Sequence, residues 1–156
     1  MDASTVLARL SGLLAEQGIE AILIGNAAAA LQGAPVTTDD LDFLFRPTPR
    51  NVSKLRALAR LVGADLTQPS YPLSHMYRIV DPLTEVQLDM MGQVFGVKSF
   101  ESVRSRSTDF AIGAETVKVA SLSDVISMKK AANRTKDRAV MPLLEEILRE
   151  VERTEE

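Results

Sequence analysis

The sequence has no cysteine and a single histidine, His75. The first absence excludes disulfide frameworks and thiolate zinc sites. The second excludes a histidine-rich metal site, so any metal must be held by oxygen. No apolar run approaches the ~18 residues needed to span a bilayer. The first residues lack the basic and apolar regions of a signal peptide, and a cytoplasmic location with no membrane association is expected. The formal charge of −3 lacks the strong positive balance of a general nucleic-acid binder. Basic residues are nevertheless concentrated locally, with Lys129, Lys130, Arg134, Lys136 and Arg138 inside ten positions. That group reads either as a solvated helix face or as a surface for phosphate or RNA.

What is present is an ordinary globular composition, 46% hydrophobic and 25% charged over 156 residues, enough for one domain with its own core. The expected division is a single domain over residues 1–151 and a frayed acidic tail over 152–156.

The chain is organised around residues 22–45. Ala21 to Ile24 is a short apolar strand. Gly25 and Asn26 then open a run of four alanines, Ala27 to Ala30, that favours helix. Gly33, Ala34 and Pro35 stop the helix. A second strand from about Asp40 to Phe45 carries Asp40 and Asp42, and side chains at i and i+2 of a strand share a face. Two carboxylates held side by side repel each other unless a cation lies between them. Oxygen ligands of this kind suit Mg²⁺ or Mn²⁺. The helix start at Gly25–Asn26 offers free N–H groups to a phosphate, or it is simply a tight strand-to-helix connection.

The remainder reads as alternating helices and strands. Residues 4–17 form an amphipathic helix ended by Gly18. Thr48-Pro49 starts another, closed by Gly63. Residues 64–67 are a possible short strand, and 68–74, with Pro69 and Pro72, a loop. Met76 to Val80 and Glu85 to Met91 are expected to pair as an antiparallel hairpin, with Asp89 on the more polar face of the second strand. Ser99 to Arg104 is a helical turn. Phe110–Ile112 and Thr116–Ala120 are short strands around Gly113. Ser121 caps a helix that runs to Ala132. A final helix carries Leu143, Leu144, Ile147, Leu148 and Val151 on one face, and Pro142 places its start near Ala139 or imposes a kink. His75 reads as structural or exposed. Tyr71 and Tyr77 are more readily packing residues than base-stacking ones.

A Gly turn, a short helix, Asp-x-Asp on the next strand and a lone Asp on a later strand together resemble the nucleotidyltransferase fold, the superfamily of DNA polymerase beta. Gly25-Asn26 through Thr38-Asp39-Asp40-Leu41-Asp42 carries one part of the resemblance. Asp124 through Lys129 to Asp137 carries another, similar to the small toxin-type and abortive-infection-type members. The resemblance implies an α+β architecture, a central mixed β-sheet flanked by helices. It implies that Asp40, Asp42 and Asp89 are catalytic and hold Mg²⁺ (or Mn²⁺). Gly25, Asn26, Thr38, Lys129 and Asp137 would bind the nucleoside triphosphate, which is the substrate, with Lys129 neutralising phosphate charge. The implied activity transfers a nucleoside monophosphate to an acceptor hydroxyl of RNA (tRNA) or of a partner protein, in a toxin setting with a cognate antitoxin. The chain has Asn26 where the family turn usually carries a second Gly or Ser, and Val36 where it often carries Arg. These departures define an alternative, a catalytically inactive binding module on the same fold that acts through a partner. All of this requires that Asp89 meet the Asp40–Asp42 pair in space.

Overall fold

The computed structural model describes residues 2–36, 39–69 and 75–155. Among them are six helices and six strands: α1 (Ala3–Glu16), β1 (Ala21–Ile24), α2 (Gly25–Leu31), β2 (Asp40–Phe45), α3 (Pro49–Val62), β3 (Met76–Val80), β4 (Gln87–Met91), α4 (Phe100–Arg106), β5 (Thr108–Ile112), β6 (Glu115–Val119), α5 (Leu122–Ala132) and α6 (Thr135–Glu155). The strands form one sheet in the order β3-β4-β2-β1-β6-β5. β2 runs parallel to β4, and β1 parallel to β6, while β1–β2, β3–β4 and β5–β6 are antiparallel. This is the mixed sheet with flanking helices expected from the sequence.

Local chemistry explains most boundaries. Asp2 caps α1 by accepting from Thr5 N at 2.8 Å. Thr48 caps α3 with Pro49 at its first position, and Gly63 ends it at φ 73°. Ser121 Oγ accepts from Asp124 N at the start of α5. The apolar residues of the central strands are buried on both faces, as expected for strands covered by helices. Leu23, Phe43, Phe45, Leu88 and Met90 are all 2% exposed or less. Tyr77 packs edge-on against Phe45, with ring centroids 6.0 Å apart, which makes it a core residue.

Three expectations are corrected. Residues 64–67 make no strand, because only Thr67 bridges to Arg78. The turn from Ser99 is a helix that continues to Arg106. The last helix begins at Thr135 and takes Pro142 into its interior. Its start is fixed by Asp137, which accepts from the backbone N–H of Arg134 at 3.1 Å and so satisfies an orphan donor of the first turn. α6 remains helical through Glu155. Tyr71 and most of the 68–74 loop lie outside the described residues, as does Thr38.

Candidate active site

The site is assembled by strand register. Asp42 is the Cα partner of Asp89 across the parallel β2–β4 pair, and Asp89 is in turn the partner of Arg78 across β3–β4. Asp40 is the partner of Gln87. Partners on adjacent strands point to one face, with backbones ~4.8 Å apart. Asp40, Asp42, Gln87, Asp89 and Arg78 therefore share one patch of the sheet, and Asp89 joins the acidic pair as the sequence required.

The charges of this patch are not equivalent. Asp89 is buried and accepts from Arg78 Nε at 2.8 Å, from Arg78 Nη2 at 3.4 Å and from Gln87 Nε2 at 2.9 Å. Among the described residues Asp42 has no such cation in direct contact. Burial, then the charges of Asp89 and Asp40, push its carboxyl up to about 6. The charges of Lys136 and Arg134 act the other way, which places the α5–α6 junction within electrostatic reach of Asp42. The patch thus holds an acid that is costly to ionise, with cations approaching from one side.

Gly25 makes the approach of α2 to β2 possible. Its φ is 70°, and a β-carbon there would stand 2.7 Å from Asp42 Oδ2. A side chain would be both strained and in collision with the carboxylate. Next to it, Asn26 Oδ1 is buried with no hydrogen-bond partner among the described residues. A buried orphan acceptor is costly unless something donates to it or is coordinated by it.

The C-terminal residues form a second cluster. Asp137 is buried and accepts from Arg134 Nε at 2.7 Å and Nη2 at 3.1 Å, with Lys129 Nζ at 3.7 Å. Burial acts to raise the Asp137 carboxyl, but the hydrogen bonds and charges of Arg134 and Lys129 outweigh it and hold it below the usual range. Lys129 is itself buried, and this lowers its ammonium from the ordinary lysine value. Asp137 therefore fixes Arg134, one of the two cations whose charge acts on Asp42, and pairs with Lys129. His75 is exposed.

With this geometry in hand, the comparisons decide the family. A model described as "Nucleotidyl transferase of unknown function (DUF2204)" matches residues 3–155. The chain belongs to this family. Solved structures share the fold. The antibiotic-resistance factor ANT(2'')-Ia superposes with a TM-score of 0.62 at 16% identity, over 92% of this chain and 84% of that one. The lincosamide antibiotic adenylyltransferase LnuA, bound to lincomycin, gives 0.66 at 11% identity, over 94% and 98%. The Thermotoga maritima protein TM1012 gives 0.56 at 16% identity, over 94% and 92%. No curated protein matches the chain by sequence.

Sequence reasoning missed Arg78 and Gln87, the two residues that hold Asp89. A signal existed: Arg78 sits in an otherwise apolar strand, MYRIV, and Gln87 lies two residues before Asp89. An isolated cation within a buried strand calls for a buried anion nearby. Lys136, inside the basic group read from the sequence, is the other cation whose charge reaches Asp42.

Proposed function

We propose that the chain transfers a nucleoside monophosphate from a nucleoside triphosphate to an acceptor hydroxyl at the Asp40–Asp42–Asp89 patch. The observation that carries this reading is the register of Asp42 with Asp89, beside a glycine packed against the Asp42 carboxylate. The solved neighbours agree in kind: one is described as an adenylyltransferase, and ANT(2'')-Ia has been captured with adenylyl-2''-tobramycin.

A divalent cation fits the residues present. Asp40 and Asp42 share a face of β2, burial and then repulsion among the acids raise the Asp42 carboxyl, and all donors are hard oxygens. Asn26 Oδ1 adds a buried oxygen without a partner. Asp40 and Asp42 would hold Mg²⁺ or Mn²⁺. Among the described residues no three acids stand as a ready cage, and the oxygens of Asp89 accept from Arg78 and Gln87. A bound dication supplies positive charge to the phosphate oxygens.

The chain's own groups do the rest. Arg134 and Lys136 draw the triphosphate toward Asp42 from the α5–α6 side. Gly25 and Asn26 would border the phosphates, with Lys129 as charge partner and Asp137 as its anchor. The acceptor oxygen bonds to the α-phosphorus, the bond from that phosphorus to the bridging oxygen breaks, and pyrophosphate leaves. Asp89 takes the hydroxyl proton once its pair with Arg78 opens, and the freed guanidinium then faces the developing negative charge.

The acceptor expected from the sequence is RNA or a partner protein in a toxin setting; the cations at the α5–α6 junction support an anionic nucleotide at Asp42 and do not select the acceptor. The inactive binding-module alternative draws on Asn26 and Val36. The test is a transfer assay with each of the four α-labelled nucleoside triphosphates, Mg²⁺, and either total RNA or a cell extract. Label should move to an acceptor with the parent protein and not with Asp42→Ala. Transfer by neither, alongside Mg²⁺-independent nucleotide binding, would favour the module, and equal transfer by both would remove Asp42 from the reaction.

A further inference from the structure

Beside Asp40 lies a cleft of about 790 Å³ at the start of β2, between α1, α2 and the β3–β4 turn, and neither Lys136 nor Arg134 is among its described lining residues. Its walls are largely apolar and include Leu7, Leu31, Val36 and Leu83. Its charged lining among the described residues is Asp39, Asp40 and Glu85, three carboxylates with no basic side chain among them. The volume falls within the range of small-molecule sites rather than macromolecular grooves.

The turn that closes the cleft is built, not slack. Asp81 is 1% exposed and accepts from Leu83 N at 3.2 Å, Thr84 Oγ1 at 3.0 Å and Arg9 Nε at 2.9 Å. Arg9 thereby ties the turn to α1. Glu85 N donates to Asp81 O at 2.7 Å and holds Glu85 at φ 62°, a left-handed conformation that a residue with a side chain adopts at a cost. Strain of this kind persists where the surroundings over-determine it, commonly at ligand sites.

We infer that this cleft is the acceptor site, and that the acceptor is a small molecule with an apolar body, at least one ammonium group and a hydroxyl. The inference rests on the nucleotidyl-transfer reading above. The apolar walls would take the body, and Glu85 and Asp39 would take the ammonium. The hydroxyl would lie at Asp40, two positions along β2 from Asp42. The division of charge favours this over RNA: cations reach Asp42 from the α5–α6 side and suit the triphosphate, whereas three carboxylates line the cleft and repel a phosphate backbone.

The experiment uses the full chain with Mg²⁺ and a non-hydrolysable nucleoside triphosphate. Calorimetry is run with a panel of hydroxylated aryl-alkyl amines, each paired with its N-acetylated neutral counterpart, and with total tRNA. Some amines should bind, their neutral counterparts about tenfold more weakly, and Glu85→Gln should weaken the amines by about tenfold while leaving the nucleotide analogue unchanged. Amines and neutral counterparts binding alike, no amine binding, or label passing to tRNA in a parallel transfer assay would overturn the inference. The nucleotide arm separates the two failures: Mg²⁺-dependent analogue binding without amine binding removes only this inference, and loss of analogue binding removes the transfer reading beneath it.

Discussion

Gly25 and Asp42 are packed so closely that a β-carbon on the first would stand 2.7 Å from Oδ2 of the second. Gly25 also sits at φ 70°, where a side chain adds strain. Gly25→Ala should therefore cost about 1–3 kcal/mol from backbone strain and displaced carboxylate. Nucleotide transfer should fall further than stability does, because Asp42 has to move. Urea unfolding set beside a transfer assay checks this, and a variant with wild-type activity would show that Asp42 tolerates displacement.

Asp42 makes the ligand-free protein less stable than it could be. Its carboxyl is raised from 3.8 to about 6. A raised acid contributes stability that is full below the unfolded value and is lost as pH climbs through the folded one. The shift corresponds to about 3 kcal/mol at most, lost between roughly pH 4 and 7. In EDTA at pH 7, Asp42→Asn should be more stable than the parent by about 1–3 kcal/mol, though inactive. Adding Mg²⁺ should raise the melting temperature of the parent and not of the variant. A variant less stable than the parent in EDTA would contradict the strained-acid picture.

Arg78 neutralises the buried Asp89. Removing it with Arg78→Ala leaves a carboxylate uncompensated inside the sheet and should cost about 2–4 kcal/mol. Arg78→Lys should cost less but still weaken the site, since an ammonium cannot reproduce the two-point contact. Chemical denaturation of both variants gives the comparison, and Arg78→Ala with parental stability would mean that water already satisfies Asp89.

Asp137 is the structural counterpart at the other end of the site. Its carboxyl is held below 3.8, so its stabilisation is present above that value and disappears as pH falls through the lower folded value. Asp137→Asn should destabilise the protein by about 2–4 kcal/mol at pH 7. The gap between parent and variant should narrow at pH 3. Unfolding curves at the two pH values test the sign, and a gap that widens in acid would refute it.

The sequence carried the unit β1–α2–β2 clearly, because each of its signals is local. An apolar strand, a glycine, four alanines and an alternating pair of acids need no distant partner to be read. The alignment of Asp42, Asp89 and Arg78 is harder to read for the opposite reason: register across two strand pairs, one parallel and one antiparallel, decides which residues meet, and no spacing in the chain states it. Pro142 does not mark the start of α6, and of the two outcomes it allowed, a start near Ala139 or a proline within the helix, the structure shows the second. The boundary is set instead by Asp137 bonding back to Arg134, a side-chain contact that outranks the single backbone hydrogen bond a proline removes. The cleft beside Asp40 is assembled from four separated segments and has no signature in the chain.

The most direct measurement is calorimetric titration of the parent and of Asp42→Asn with a non-hydrolysable nucleoside triphosphate, each with and without Mg²⁺. The expected result is binding by the parent that requires Mg²⁺, and a loss of at least about tenfold in the variant, the cost of one missing charged ligand. Binding that is indifferent both to Mg²⁺ and to Asp42→Asn would contradict a nucleotidyl-transfer site at this patch.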